Sequence, residues 1–314
     1  MWVINNSNDV LDKIDEYNDT KNIKNVNTYD FSTLYTNIPH KDLKDKMLWV
    51  IDKAFNNKKY IYVSNNTNLD ATWYKLKNAI NIDKNTLIKH ITYLIDNVYI
   101  SVNYNVFRQV IGIAMGTDCA PFLANLYLYA LEYKFLEQLT HDDIDTARRF
   151  SNSYRYIDDL LTFNNYTLMD KYKHKIYPKE LLLNKENDDD KKCNFLDINI
   201  KINNTQTITT KLYDKRNDFN FTVNNFPIMS SNILFDRTHG IIISQLLRYS
   251  KVCIQYDDFI NVAHILVNKL IKQYFDIKIL KTQTSNFYDK YYHMIQNYKC
   301  TKKKMIQDIF NLSP

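Results

Sequence analysis

A chain of 314 residues, 45% hydrophobic and 14% aromatic, can bury a sizeable core, and its length suggests two or three lobes. No run approaches the roughly 18 uncharged apolar residues of a membrane helix, and the N-terminus has neither the basic region nor the apolar core of a signal peptide. The net charge of +6 is unevenly spread: residues 1–190 hold 23 Lys and Arg against 26 Asp and Glu, residues 191–314 hold 18 against 9. That split suits acid-based chemistry beside a lobe that grips phosphate, although a merely soluble surface could show it too. With only 3 Gly and 5 Pro, linkers are scarce and the lobes should be closely joined. Cys119, Cys193, Cys253 and Cys300 are widely spaced without a Cys-x-x-Cys pair. They read as free thiols in a reducing compartment, nucleus or cytoplasm, rather than a disulfide frame or zinc site.

Residues 1–27 are polar, with one weak helix over 8–17. Thr28-Tyr29-Asp30-Phe31-Ser32-Thr33-Leu34-Tyr35-Thr36-Asn37-Ile38-Pro39-His40 reads as a strand leading into a turn, its β-branched and aromatic run interrupted by one acid. Asp30 is either a strand-end cap or a metal ligand. Leu43, Met47, Val50, Ile51 and Ala54 predict an amphipathic helix over 41–55. A short strand (59–63) and a polar loop (64–72) follow. Leu87, Ile88, Ile91, Leu94, Ile95 and Val98 mark a second helix. Residues 99–102 and 106–111 look like a hairpin.

Gly112-Ile113-Ala114-Met115-Gly116-Thr117-Asp118-Cys119-Ala120-Pro121 carries two of the three glycines. It reads as a helix start needing close backbone approach or as a substrate-binding turn, with Thr117 or Asp118 as cap and Pro121 in the first turn. Phe122, Leu126, Tyr129, Tyr133 and Leu136 would be the buried stripe of the helix, ending near Gln138. The acidic runs 142–145 and 188–190 read as exposed loops. Tyr154-Arg155-Tyr156-Ile157-Asp158-Asp159-Leu160-Leu161-Thr162-Phe163 sets two carboxylates inside a strand-like run. Neighbouring side chains of a strand face opposite ways, so the pair predicts a hairpin with acids at its tip. Such a tip is an ordinary solvated turn or half of a metal site.

These stretches, in this order, resemble the palm motifs of reverse transcriptases, most of all those of Penelope-like retroelements. The later segments Asn194-Phe195-Leu196-Asp197-Ile198, residues 210–221 and Ser244-Gln245-Leu246-Leu247-Arg248-Tyr249-Ser250 are similar to that family as well. The resemblance runs from about residue 28 to residue 310. It implies an α+β fold: a palm with an antiparallel sheet and packed helices and partial fingers (28–225), a helical thumb-like region (226–314), and a remnant N-terminal segment (1–27). By the same resemblance Asp30, Asp158 and Asp159 are catalytic and, with the Phe31 carbonyl, hold Mg²⁺ or Mn²⁺. Three carboxylates gathered together repel, by about 4 kcal/mol per pair at 4 Å and an effective dielectric near 20, so cations would stabilise them. Hard oxygen ligands without His or Cys favour magnesium over zinc.

Tyr35 matches the steric gate against a 2′-hydroxyl, Met115 and Gly116 the turn against template base and nucleotide, and Phe195, Leu196 and Asp197 the primer grip. As plain sequence, residues 195–197 are a half-buried strand. Arg237, Arg248 and Lys251, with Lys269 and Lys272 near the clean amphipathic helix of Phe259, Val262, Ala263, Leu266, Val267, Leu270 and Ile271, would hold nucleic-acid phosphates. The implied activity is RNA-directed DNA polymerisation, with RNA template, DNA primer and deoxynucleoside triphosphates as partners. Only 29 residues precede Asp30 and carry no fingers motif, and no endonuclease follows, so an upstream segment or an endonuclease in trans is a further expected partner. The alternatives are a catalytically inactive element-derived remnant that binds nucleic acid, and a two-metal nuclease.

Overall fold

The aromatic run ending at Phe31 forms the strand from which the rest of its sheet is positioned. The computed structural model describes residues 2–66, 69–221, 223–232 and 238–311. Its elements begin α1 (Asn8–Thr20), β1 (Val26–Phe31), α2 (Leu34–Asn37), α3 (His40–Phe55), β2 (Tyr60–Ser64), β3 (Ala79–Asp83) and α4 (Lys84–Asp96). Next come β4 (Tyr99–Val102), β5 (Asn105–Arg108), α5 (Ala120–Asp142), α6 (Ile144–Arg149), β6 (Ser153–Tyr156), β7 (Asp159–Phe163), α7 (Leu168–Ile176) and β8 (Leu183–Lys185). The remainder is β9 (Lys192–Phe195), β10 (Ile198–Ile202), β11 (Ile208–Leu212), α8 (Ile241–Val252), α9 (Tyr256–Lys272), α10 (Ile277–Lys290), α11 (Tyr292–Ile295) and α12 (Lys302–Asn311). The architecture is α+β, an open antiparallel sheet flanked by helices and followed by a helical region, as expected. Among the described residues no helix is long and apolar enough to cross a membrane, and the four cysteines are free thiols.

Two units organise the chain, residues 1–3 with 29–186 and residues 4–28 with 187–314. In the first, four strands lie in the order β6-β7-β1-β8. β1 and β8 are antiparallel with Asp30 opposite Asn184, and β6 and β7 are antiparallel with Tyr156 opposite Asp159. Tyr29, Phe31, Leu160, Leu183 and the helix residues Leu43, Met47, Leu123 and Tyr127 share one buried cluster. Helices α3 and α5 are also tied by polar groups: the Tyr127 hydroxyl donates to Asp42 at 2.6 Å and Lys46 bonds the same carboxylate at 2.8 Å. Burial pulls the Asp42 carboxyl up, but the bonds from Lys46 and Tyr127 and the nearby lysine charges outweigh it and leave it below the usual range. Trp2, from the stretch read as a remnant, is buried and stacks on Phe150 with centroids 5.7 Å apart.

The burial of α5 departs from expectation. Phe122 is 70% exposed and Leu126 38% exposed, Tyr129 and Tyr133 are half-buried, and the inward residues are Ala120, Leu123, Ala124, Tyr127, Leu128, Ala130, Glu132 and Leu139. The helix is apolar on nearly every side, so periodicity alone could not orient it. Nor is it capped by Thr117 or Asp118: Cys119 is the N-cap, without a side-chain bond, and Pro121 sits in the first turn. The acidic run 142–145 is helical rather than a plain loop, because Asp142 closes α5 and Asp143 caps α6 through Thr146 N at 3.0 Å. Strand β3 and helices α6 and α7 are additional to the expected elements.

In the second unit, β9, β10 and β11 form an antiparallel sheet in the order β11-β10-β9. Residues 195–197 are not continuous strand: Phe195 ends β9, and Leu196, with φ of 52°, and Asp197 make the turn into β10. Leu246, Phe259, Leu266, Leu270, Leu280 and Phe287 centre the helical core. The Asn18 side chain ties α1 to β11, donating to the Ile208 carbonyl at 3.0 Å and accepting its N–H at 2.6 Å.

The buried pair Arg155–Glu132 yields the first prediction, since both side chains are at most 2% exposed and 2.6 Å apart. Arg155→Met alone leaves a buried carboxylate unpaired and should cost about 3–5 kcal/mol in urea unfolding, whereas Arg155→Met with Glu132→Leu should recover part of that loss.

Candidate functional site

The first unit gathers the motif residues around the β6–β7 turn. β6 and β7 are joined by the two-residue loop Ile157-Asp158, with Ile157 at φ of 53°. Two-residue hairpin loops select positive φ because it matches strand twist, but they normally place Gly or Asn there. A β-branched residue in this region is a true outlier, at a cost on the order of 1–2 kcal/mol. Arg155 holds the strained turn: its Nη1 donates to the Ile157 carbonyl at 2.9 Å and to Asn125 Oδ1 at 2.8 Å. The rest of the guanidinium grips Glu132 through Nε (2.6 Å) and Nη2 (3.0 Å), and the Arg155 backbone N–H donates to Trp2 O at 2.6 Å. Tyr177 donates its hydroxyl to Glu132 at 3.1 Å; burial and then the Glu132 charge push that hydroxyl's pKa well up, so it stays a donor.

Asp158 is therefore on the loop, Asp159 opens β7, and Asp30 lies on β1, the strand next to β7. Phe31 follows on β1, buried and edge-on to Tyr177 at 4.8 Å. Tyr35 on α2 belongs to the same neighbourhood. Burial raises its hydroxyl pKa first, and the Asp158 carboxylate and Tyr156 raise it further. The fold thus brings Asp30, Asp158, Asp159 and Tyr35 into one region of one unit.

The glycine segment reaches that region through its backbone. Gly112 N–H donates to the Ile38 carbonyl at 2.8 Å, Ile113 N–H to the Tyr35 carbonyl at 2.7 Å, and His40 Nε2 meets the Gly112 carbonyl at 2.8 Å. At φ of +82°, a Cβ on Gly112 would fall on the Tyr35 carbonyl oxygen and within 2.9 Å of the Thr36 oxygen. Gly116 differs: its φ of +94° favours glycine, yet nothing lies within 4 Å of its missing Cβ. Of the two readings of this segment, Gly112 takes the close approach, while Gly116 and the 72%-exposed Met115 form an open turn before α5.

The remaining expected residues lie in the second unit or beyond description. Phe195 is buried, Leu196 and Asp197 are half-buried in the β9–β10 turn, and Arg248 Nε is bonded to Asp197 at 2.8 Å. Lys251 is exposed near the end of α8, and Arg237 lies outside the described residues. Sequence reasoning missed the clamp of Arg155 with Glu132, Asn125 and Tyr177. The only signal was a charged residue inside a strand otherwise rich in aromatic and apolar side chains.

Among the described residues no group of three or more His, Cys, Asp or Glu is arranged to hold a metal ion. The donor chemistry nevertheless fits magnesium, which keeps several waters and is commonly held by one or two protein carboxylates together with substrate phosphates. Asp30 on β1 and Asp158 in the loop that leads into the neighbouring strand β7 offer that kind of oxygen donor.

No family model matches the sequence, and no curated protein matches it. In structure, the chain is similar to telomerase of Candida albicans solved with a TWJ fragment of telomeric RNA, at a TM-score of 0.64 and 13% identity over 98% of this chain and 52% of that one. It is similar also to apo telomerase of Candida tropicalis, at 0.50 and 16% over 98% and 51%. The chain spans about half the length of these telomerases. The likeness is one of fold: it is reverse-transcriptase-like, without distinguishing a Penelope-like origin.

Gly112→Ala should destabilise the chain by about 2–4 kcal/mol in chemical unfolding, as backbone overlap adds to positive-φ strain. Gly116→Ala should cost about 1–2 kcal/mol, from strain alone.

Proposed function

We propose that the chain is the palm and thumb of a reverse transcriptase of the Penelope-like type, extending a DNA primer on an RNA template from deoxynucleoside triphosphates. The observation that carries this reading is the juxtaposition of Asp30, the strained Asp158 turn and Tyr35 within one reverse-transcriptase-like fold. The RNA bound by the similar Candida albicans telomerase makes an RNA template the natural partner to test.

Asp30, Asp158 and Asp159 would hold Mg²⁺, or Mn²⁺ in its place, with the Phe31 carbonyl as a further ligand. Such ions, when bound, supply charge stabilisation for in-line phosphoryl transfer. The chain's own residues orient and select. Arg155 fixes the turn that presents Asp158, so the carboxylate is positioned before substrate arrives. Tyr35, anchored through its carbonyl to Ile113, presents a neutral ring where a ribose 2′-hydroxyl would collide. Met115 and Gly116 leave an open, apolar turn for a base to lie against. In the second unit the Phe195-Leu196-Asp197 turn would hold the primer, with Arg248 and Lys251 as phosphate contacts; the bond to Asp197 leaves the Arg248 guanidinium partly engaged.

Primer extension on poly(rA)/oligo(dT) with Mg²⁺ or Mn²⁺ tests the reading. Extension should be detectable and fall by about 10²–10³-fold in Asp30→Asn and in Asp158→Asn, on the order expected when charge stabilisation of a transition state is removed. Tyr35→Ala should raise incorporation of ribonucleotides relative to deoxynucleotides. A folded chain that binds the duplex and extends nothing would leave the inactive nucleic-acid-binding remnant as the function, and strand cleavage in place of extension would point to a nuclease.

A further inference from the structure

The three-stranded sheet of the second unit has two unlike faces. Strand alternation puts Cys193, Phe195, Ile198, Ile200, Ile202 and Ile208 on one face, all buried. The opposite face carries Lys192 and Asn194 from β9, Asn199 and Lys201 from β10, and Thr209 and Lys211 from β11. The register fixes how these groups meet. Lys201 is directly opposite Lys192 on one side and Thr209 on the other, and Lys211 is opposite Asn199.

Like charges directly across a strand pair disfavour the sheet. Among the described residues none of the three lysines makes an ion pair, and all three are exposed. Lys192, Asn199, Lys201, Thr209 and Lys211 line a concavity of about 280 Å³, and one acid, Asp258 of α9, stands at its wall. Asn199 is nearly buried and its Nδ2 donates to Asn194 Oδ1 at 2.6 Å, beneath the lysines. Three cations on neighbouring strands roughly 4.8 Å apart, with hydroxyl and amide groups between them, match a run of backbone phosphates by charge.

We propose that this face is a binding site for the phosphate backbone of a nucleic-acid duplex, with Lys192, Lys201 and Lys211 as its cationic contacts. The inference rests on the polymerase reading, and extends it to a surface outside the palm motifs and the helical basic residues. It lies on the same β9–β10 hairpin as the Phe195-Leu196-Asp197 turn. Bound phosphates would also relieve the Lys192–Lys201 repulsion, so the charge pair unfavourable in the free protein becomes favourable in the complex.

The test is binding of the full chain to a labelled RNA–DNA hybrid by fluorescence anisotropy between 50 and 200 mM salt. Replacing all three lysines by Gln should lower affinity by about 10²-fold near 100 mM salt and reduce the slope of log K against log salt by about 2–3, since each lost contact releases one counterion fewer. Lys192→Arg/Lys201→Arg/Lys211→Arg should keep wild-type slope and affinity. A control that removes equal charge from exposed lysines of the first unit, Lys41→Gln/Lys77→Gln/Lys89→Gln, should leave the slope within about 1 of wild type. An unchanged slope in the first variant, or an equal loss in the control, overturns the site while leaving the polymerase reading intact. If the wild-type chain binds no hybrid at all, both readings fall together. Thermal unfolding of each variant keeps a folding defect distinguishable from a binding loss.

Discussion

Arg155 and Glu132 set the constraint on which the first unit depends. Taking two charges out of water is expensive, and their attraction offsets that cost only when the remaining donors and acceptors are satisfied. Here they are: both Glu132 oxygens accept from the guanidinium, Tyr177 adds a third bond, and Asn125 and the Ile157 carbonyl take the Nη1 hydrogens. The consequence is geometric. Glu132 and Asn125 belong to α5, Arg155 to β6, Ile157 to the loop and Tyr177 to the chain just past α7, so one buried fork fixes four pieces of backbone. An apolar cluster of similar volume would hold them together as well, but would not fix the loop carbonyl.

The same network joins the two halves of the candidate site. α5 begins where the glycine segment ends, and that segment is bonded to the backbone of residues 35–38. Burial holds the Tyr35 hydroxyl pKa above its usual value, and the Asp158 charge adds to that rise. Movement of α5 would therefore be felt at the Asp158 turn through Arg155 and at Tyr35 through Ile113. Gly112 is the tight point of this circuit, because no side chain fits between it and the carbonyls of residues 35 and 36.

What was legible in the sequence followed physical periodicity. Strands β1, β6 and β7 announce themselves by aromatic and β-branched runs, and α3 and α9 by one-sided apolar spacing that their buried residues match in part. Leu43, Met47 and Ile51 are buried but Ala54 is exposed and Phe55 is buried in its stead, and on α9 Ile271 is exposed while Ile260 is buried. The two-residue turn Asn103-Tyr104, both at positive φ, sits at the centre of the hairpin expected there. Orientation was lost where the pattern is degenerate. On α5 an all-round apolar surface made Phe122 and Leu126 look internal when they face outward. The helices at 144–149 and 168–176 are short and polar, and form beside a larger body that periodicity cannot see. In the candidate site, motif order was readable, but not the supports: a charged residue in a strand is ordinarily outward-facing, so neither Arg155 nor its partner 23 positions earlier could be recognised as buried.

Ile157 shows why those supports matter. Glycine there would remove the positive-φ strain, yet the Ile157 side chain packs against the main cluster of the first unit. A glycine loop would gain backbone freedom and lose that anchor, leaving the neighbouring carboxylate to sample many positions. The isoleucine accepts a local cost on the order of 1–2 kcal/mol, and the Arg155 bond together with core packing over-determines the turn. For an exposed connecting turn such strain would serve no purpose. On the proposed polymerase reading, where the turn would present Asp158 at a set position, the strain would exchange stability for a carboxylate whose ordering cost is met during folding rather than at each encounter with substrate.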